Sequence, residues 1–204
     1  MKKITLFLAL ILSVSTQAQV TEIWTDYGGF WNSSSTTNNL DRPDNSHNLL
    51  AFRVGNPGTI YSTGVDDAKL TTNNISFTAL TIRALPIATL PLTGGENYLV
   101  GLGQLFDGVD NGIDTSPAET FPTITQGWEV ASFLTRGPQG LDLGACFADI
   151  PSGTSSRFNL SSGGIKTSRL NDGSPDILVS QIANPSSSGV DKLRFVNLSG
   201  ATVG

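Results

Sequence analysis

Carboxylates set close together, with glycines between them, are what a calcium ion needs. One segment has that pattern. Asp107, Asp110, Asn111 and Asp114 fall within eight positions, interleaved with Gly108 and Gly112. Calcium takes about six to eight oxygen ligands, and glycines let a loop wrap around the ion. The spacing is not that of an EF-hand loop. Asp172 and Asp176 make a second candidate in Asn171-Asp172-Gly173-Ser174-Pro175-Asp176, and Asp66 with Asp67, beside Gly64, a third. The competing reading of each is a solvated turn in which Asp or Asn bonds its own backbone.

A second chemistry is carbohydrate recognition. Trp24, Tyr27, Phe30 and Trp31 lie within eight residues, with Asp26 and Asn32 beside them. Flat rings offer apolar faces to sugars, and carboxylates or amides supply directional hydrogen bonds. Trp24, Asp26, Tyr27 and Trp31 are therefore candidate ligand-binding residues. The alternative places Trp24 and Phe30 in the core. Catalysis has less to work with. Glu22, Glu96, Glu119 and Glu129 are the only glutamates for a glycosidase pair. His47 is the only histidine available as a base, and no Gly-x-Ser-x-Gly elbow accompanies any serine. No catalytic residue is assigned, and His47 reads as a plain polar loop residue.

The elements that must position these residues read as strands. Residues 22–25 are short and extended. Residues 49–54 and 59–63 flank Gly55-Asn56-Pro57-Gly58, which is a hairpin signal. Residues 75–85 alternate apolar and Thr/Ser positions, as a half-buried antiparallel strand does. Further strands are expected at 98–103, 128–134, 145–150, 157–160, 176–182 and 192–198. Only 65–70 and 115–121 suit a helical turn. About ten short strands between Gly, Pro, Ser and Asn turns predict an all-β fold, an antiparallel β-sandwich of jelly-roll-like form.

Composition agrees. The chain has 204 residues, of which Gly, Ser, Thr and Asn together number 80, and charged residues are 14%. That balance excludes a coiled coil and a helical bundle. A single cysteine, Cys146, forms no internal disulfide, and in its apolar setting it reads as a buried small hydrophobe. Residues 1–18 read as a secretory signal peptide. Lys2 and Lys3 precede an apolar run over 4–14, and small residues lead to a cut after Ala18. Residues 19–204 read as one domain, the N-terminal piece of a longer protein. This mature chain carries ten Lys and Arg against seventeen Asp and Glu, a net charge of −7. Such a surface suits neither nucleic acid nor anionic lipid.

Several strings resemble a known group. They are Ile23-Trp24-Thr25-Asp26-Tyr27-Gly28-Gly29-Phe30-Trp31, Asp44-Asn45-Ser46-His47-Asn48-Leu49-Leu50-Ala51-Phe52, Tyr61-Ser62-Thr63-Gly64-Val65-Asp66-Asp67-Ala68, Arg83-Ala84-Leu85-Pro86, Gly140-Leu141-Asp142-Leu143-Gly144 and the segment 172–183. Together they resemble the N-terminal region of long flavobacterial secreted and cell-surface proteins, adhesin-like and associated with type IX secretion. The resemblance implies a secreted or surface location and a structural or adhesive role, and the lack of a catalytic constellation in the sequence makes the expected role non-enzymatic. The expected partner is an extracellular glycan or another surface protein, with no membrane insertion once the leader is removed. The alternative is a calcium-assisted carbohydrate-binding module, and after it a glycan-active hydrolase.

Overall fold

The computed structural model describes residues 19–34, 47–85, 99–103, 117–120, 131–132, 134–143, 145–148, 157–158, 167–170, 172–179 and 193–203. The chain is mostly β. Five strands form one mixed sheet in the order β2-β1-β3-β4-β5, and three form an antiparallel sheet in the order β7-β6-β8. In the larger sheet, β1 is Val20–Thr25, β2 Trp31–Asn32, β3 Leu49–Gly55, β4 Gly58–Ser62 and β5 Thr78–Ala79, with one helix, α1, at Asp67–Thr72. In the smaller sheet, β6 is Leu99–Gly103, β7 Pro117–Thr120 and β8 Ala145–Ala148.

The β3–β4 hairpin is where the turn residues place it. Gly55 pairs with Gly58 across a cis Asn56–Pro57 bond. Gly55 has φ +84°, the left-handed region that favours glycine. A Cβ on Gly58 would stand 1.9 Å from the Val54 carbonyl oxygen, so no other residue fits there without moving the backbone.

The register puts Ile23, Phe52 and Tyr61 in one cross-strand row and Trp24, Ala51 and Ser62 in the next. Cross-strand partners share a face, so the sheet is apolar on both sides. On one side Trp24, Leu50 and Ala51 pack with Leu70 of α1, supported by Phe30, Ile75 and Phe77. On the other, Leu49, Phe52 and Tyr61 pack with Leu141, backed by Ile82, Leu143 and Leu178. A register shift between Trp24 and Thr25 passes over Leu50, which sends Leu50 to the same side as Ala51.

Four expectations change. In the 75–85 segment exposure alternates over 75–77 and again over 80–83, but Thr78 and Ala79 are both exposed, which breaks the expected alternation; only Thr78–Ala79 enter a ladder, and they run parallel to β4. The crossover through α1 turns the chain back to the same direction. Within 115–121, Pro117–Thr120 is β7 rather than a helical turn. Within 128–134, Ala131, Ser132 and Leu134 are helical, and the Thr135 hydroxyl donates to the Ala131 carbonyl four residues back. Within the expected strands 176–182 and 192–198, the described residues 176–179 and 193–195 join no strand, and Val196 is bridged to Thr202. The leader 1–18 and the acidic segment 107–114 lie outside the described residues.

Candidate functional site

The aromatic cluster sits at the corner where β1 turns into β2. The Thr25 hydroxyl accepts from the Tyr27 N–H, and Gly29 N–H donates to the Asp26 carbonyl, closing a tight 3-10 turn over Tyr27–Gly29. Gly28 and Gly29 have φ +57° and +104°, two successive left-handed steps that reverse the chain. It then pairs back, Trp31 opposite Thr25 and Asn32 opposite Trp24. This brings Tyr27 and Trp31 together, packed with Ile23 and Leu143, while Trp24 points to the other side, towards Leu70.

The three rings do not make one platform. Trp24, Tyr27 and Trp31 expose 1%, 6% and 6% of their surface. Stacking on a sugar needs an open ring face, and these faces are spent on the interior. Tyr27 stacks on His47, with centroids 4.5 Å apart and planes 22° from parallel. His47 is itself buried, so it is a core histidine rather than the loop residue expected from its neighbours. Phe30 joins the cluster of Trp24.

Asp26 is a latch. Its Oδ1 accepts from the Asn48 backbone N–H at 2.8 Å and its Oδ2 from Asn48 Nδ2 at 2.9 Å. These bonds join the end of β1 to the start of β3 across 22 residues. A third strap completes the corner. Leu49 N–H donates to the Leu141 carbonyl, Leu143 N–H donates to the His47 carbonyl, and Asn48 is bridged to Asp142. Arg136 Nε lies 3.5 Å from Asp142 Oδ2. Gly137, at φ +78°, approaches so closely that a Cβ would stand 2.3 Å from Asn48 Oδ1. His47, Asn48, Gly137 and Asp142 are not legible as a unit in the sequence, because their contacts join segments about ninety residues apart and no local signal announces such a pairing.

No family model, curated protein or solved structure matches the chain.

The acidic candidates separate. Asp172 Oδ1 accepts from the Ser174 N–H at 2.8 Å and from the Ser174 hydroxyl, and Arg169 Nε lies 2.7 Å from Oδ2. The Ser174 bonds, with Arg169 adding its charge, hold the Asp172 carboxyl below the usual aspartate range. Its oxygens serve a local turn. Asp176 is exposed and takes no part in that turn's bonds to Asp172. The turn is tied to the larger sheet by Tyr61, whose hydroxyl donates to the Gly173 carbonyl at 3.3 Å, and by Leu178. Asp66 caps α1, its Oδ1 accepting from the Lys69 N–H at 2.9 Å. Among the described residues no group of three or more His, Cys, Asp or Glu comes together. Asp107, Asp110, Asn111 and Asp114 lie outside them.

Polar chemistry near Trp24 also belongs to the scaffold. Glu22 Oε2 pairs with Arg53 Nε at 2.9 Å, and the Arg53 guanidinium lies 5.5 Å from the Trp24 ring centroid. Large apolar side chains are also exposed. Phe158, Leu170, Ile177, Val179, Leu193, Phe195, Leu198 and Val203 are the large exposed hydrophobics among the described residues, and all lie beyond residue 157.

Proposed function

We propose that the chain is a non-enzymatic, extracellular domain of an adhesin-like bacterial surface protein, with a structural or adhesive role. In this reading the leader 1–18 is removed on export, and the strands belong to an antiparallel, jelly-roll-like sandwich. The observation that carries the proposal is the division of labour along the chain. In the first half, the residues suited to chemistry are engaged in holding the fold: Asp26 in the latch, His47 against Tyr27, and Trp24 in the core. Beyond residue 157, large apolar side chains face solvent. Scattered single apolar residues are ordinary on any surface; that the large exposed ones among the described residues all fall in this part of the chain supports a role in contact with a partner.

A quartz-crystal microbalance tests it. Retention of the secreted chain is measured on an apolar surface and on a polysaccharide-coated one. The reading expects retention on at least one, reduced when Leu193 and Phe195 are both changed to Ser. No retention on either surface, or release of sugar from the polysaccharide, overturns it. Mass spectrometry of the exported chain checks location independently, with Gln19 expected as the first residue.

A further inference from the structure

We propose that Asn197 is the acceptor of an N-linked glycan, transferred to it from a lipid-linked glycosyl diphosphate. The inference rests on the exported location proposed above and goes beyond it.

The signal is a tripeptide, Asn-x-Ser/Thr with x other than proline, which a membrane oligosaccharyltransferase takes on a surface loop of a secreted chain. It occurs four times, at Asn32-Ser33-Ser34, Asn74-Ile75-Ser76, Asn159-Leu160-Ser161 and Asn197-Leu198-Ser199. So short a string recurs by chance in a chain rich in Asn and Ser, and only its surroundings divide the four. Asn32 is half-buried and paired with Trp24 in the β1–β2 ladder. Asn74 is exposed, but Ile75 packs against the core cluster of Trp24 and pins the middle of that tripeptide down. Asn159 lies outside the described residues. In the fourth tripeptide all three residues are exposed, and Leu198 at its middle shows 97% of its surface.

The hairpin at 195–203 presents the reacting atom. Val196 is bridged to Thr202, and Gly200 N–H closes the tip on the Asn197 carbonyl. Asn197 Oδ1 accepts from the Ala201 N–H at 3.0 Å and from the Ser199 hydroxyl at 2.7 Å. These bonds hold the amide oxygen and leave Nδ2, which donates to nothing among the described residues. Side chains alternate along an extended chain, and cross-strand partners share a face. Phe195 and Asn197 therefore stand on one side of the hairpin, with Val203, whose N–H donates to the Phe195 carbonyl. Phe195 and Val203 are 51% and 47% exposed. A sugar on Nδ2 lays its C–H face beside them and covers apolar surface that the hairpin itself leaves in water. In the transfer, Nδ2 attacks the anomeric carbon of a polyprenyl-diphosphate-linked sugar. The C–N bond forms as the bond from that carbon to the diphosphate oxygen breaks. The diphosphate leaves as the anion, one amide proton passes to a carboxylate of the transferase, and nothing is oxidised or reduced.

Mass spectrometry of the full chain, recovered from the culture of its native host, tests this. Trypsin cuts after Arg194, and the peptide that begins at Phe195 is sequenced by electron-transfer fragmentation, which keeps a glycan on its residue. The glycan is expected on Asn197. Asn197→Asp keeps the oxygen that accepts from Ala201 but lacks the amide nitrogen, and Ser199→Ala lacks the hydroxyl of the tripeptide. Both are expected to lose the glycan completely, and Ser199→Thr to keep it. A bare Asn197 on a chain whose first residue is Gln19 overturns the glycan and leaves the exported location standing. A bare Asn197 on a chain that still carries residues 1–18 overturns both. A glycan on Ser199, or one that survives Asn197→Asp, also overturns the proposal.

Discussion

Replacing Asp26 by Ala separates a scaffold residue from a ligand-binding one. The carboxylate accepts two bonds from Asn48, at 2.8 and 2.9 Å, one from a backbone N–H. Asn48 is buried. Hydrogen bonds to a charged group contribute about 1.5–3 kcal/mol, and a buried donor left unpaired costs about 1–3 kcal/mol. The amide end of Asn48 can turn, whereas its backbone N–H is held in place by the bridge to Asp142. Asp26→Ala should therefore cost about 2–4 kcal/mol, a fall of roughly 5–15 °C in Tm for a chain of this size. Asp26→Asn keeps one oxygen for the backbone N–H but sets its own amide nitrogen against Asn48 Nδ2, donor to donor. It should cost about half as much. Urea unfolding followed by tryptophan fluorescence reads both, since Trp24 and Trp31 are buried on either side of the sheet. Asn48→Ala closes a double-mutant cycle, with a coupling of about 1–2 kcal/mol expected. A loss under about 0.5 kcal/mol for Asp26→Ala, or zero coupling with Asn48, would refute the latch.

Gly58→Ala should destabilise the chain by more than about 2 kcal/mol, because its Cβ would stand 1.9 Å from the Val54 carbonyl oxygen; urea unfolding measures it. Asp172 titrates below the ordinary aspartate range, so the contribution of its turn is present above that range and is lost as pH falls through the lowered value. Ser174→Ala should move the Asp172 titration upward, as followed by carboxyl-carbon NMR, and an unchanged titration would sink the assignment. Calcium held by Asp107, Asp110, Asn111 and Asp114 should raise Tm at millimolar calcium and lose the effect with chelator, since a ligand of the folded state stabilises it. In that experiment Asp172→Asn should change nothing, because Asp172 already serves Ser174 and Arg169.

Local signals carry the β character and one hairpin. Gly55, Asn56, Pro57 and Gly58 announce the β3–β4 turn in four residues, and the β-rich runs on either side become its strands. The 75–85 segment shows how far such a signal reaches. Its alternation holds over 75–77 and over 80–83, but the phase slips at Thr78 and Ala79, which are both exposed. Alternation fixes which side of a strand is buried, yet it says nothing of which neighbour the strand takes or in which direction. Those depend on α1, whose Leu70 must reach Trp24 and so sets where the chain returns.

The aromatic corner carries the same argument to function. Four rings and a carboxylate within eight residues are equally a sugar platform and a folding nucleus, because both need flat apolar surface beside a directional polar group. Composition cannot divide the two; the partners of the polar group can. Asp26 finds Asn48 because the strap at 141–143 pairs with 47–49 and holds Asn48 in place. With both carboxylate oxygens occupied and His47 laid against Tyr27, the rings close inward. The corner is then a joint between β1, β3 and the strap. Side chains that no joint needs are left exposed, and Leu198 is the clearest of them: the bonds of the turn beneath it do not use its side chain.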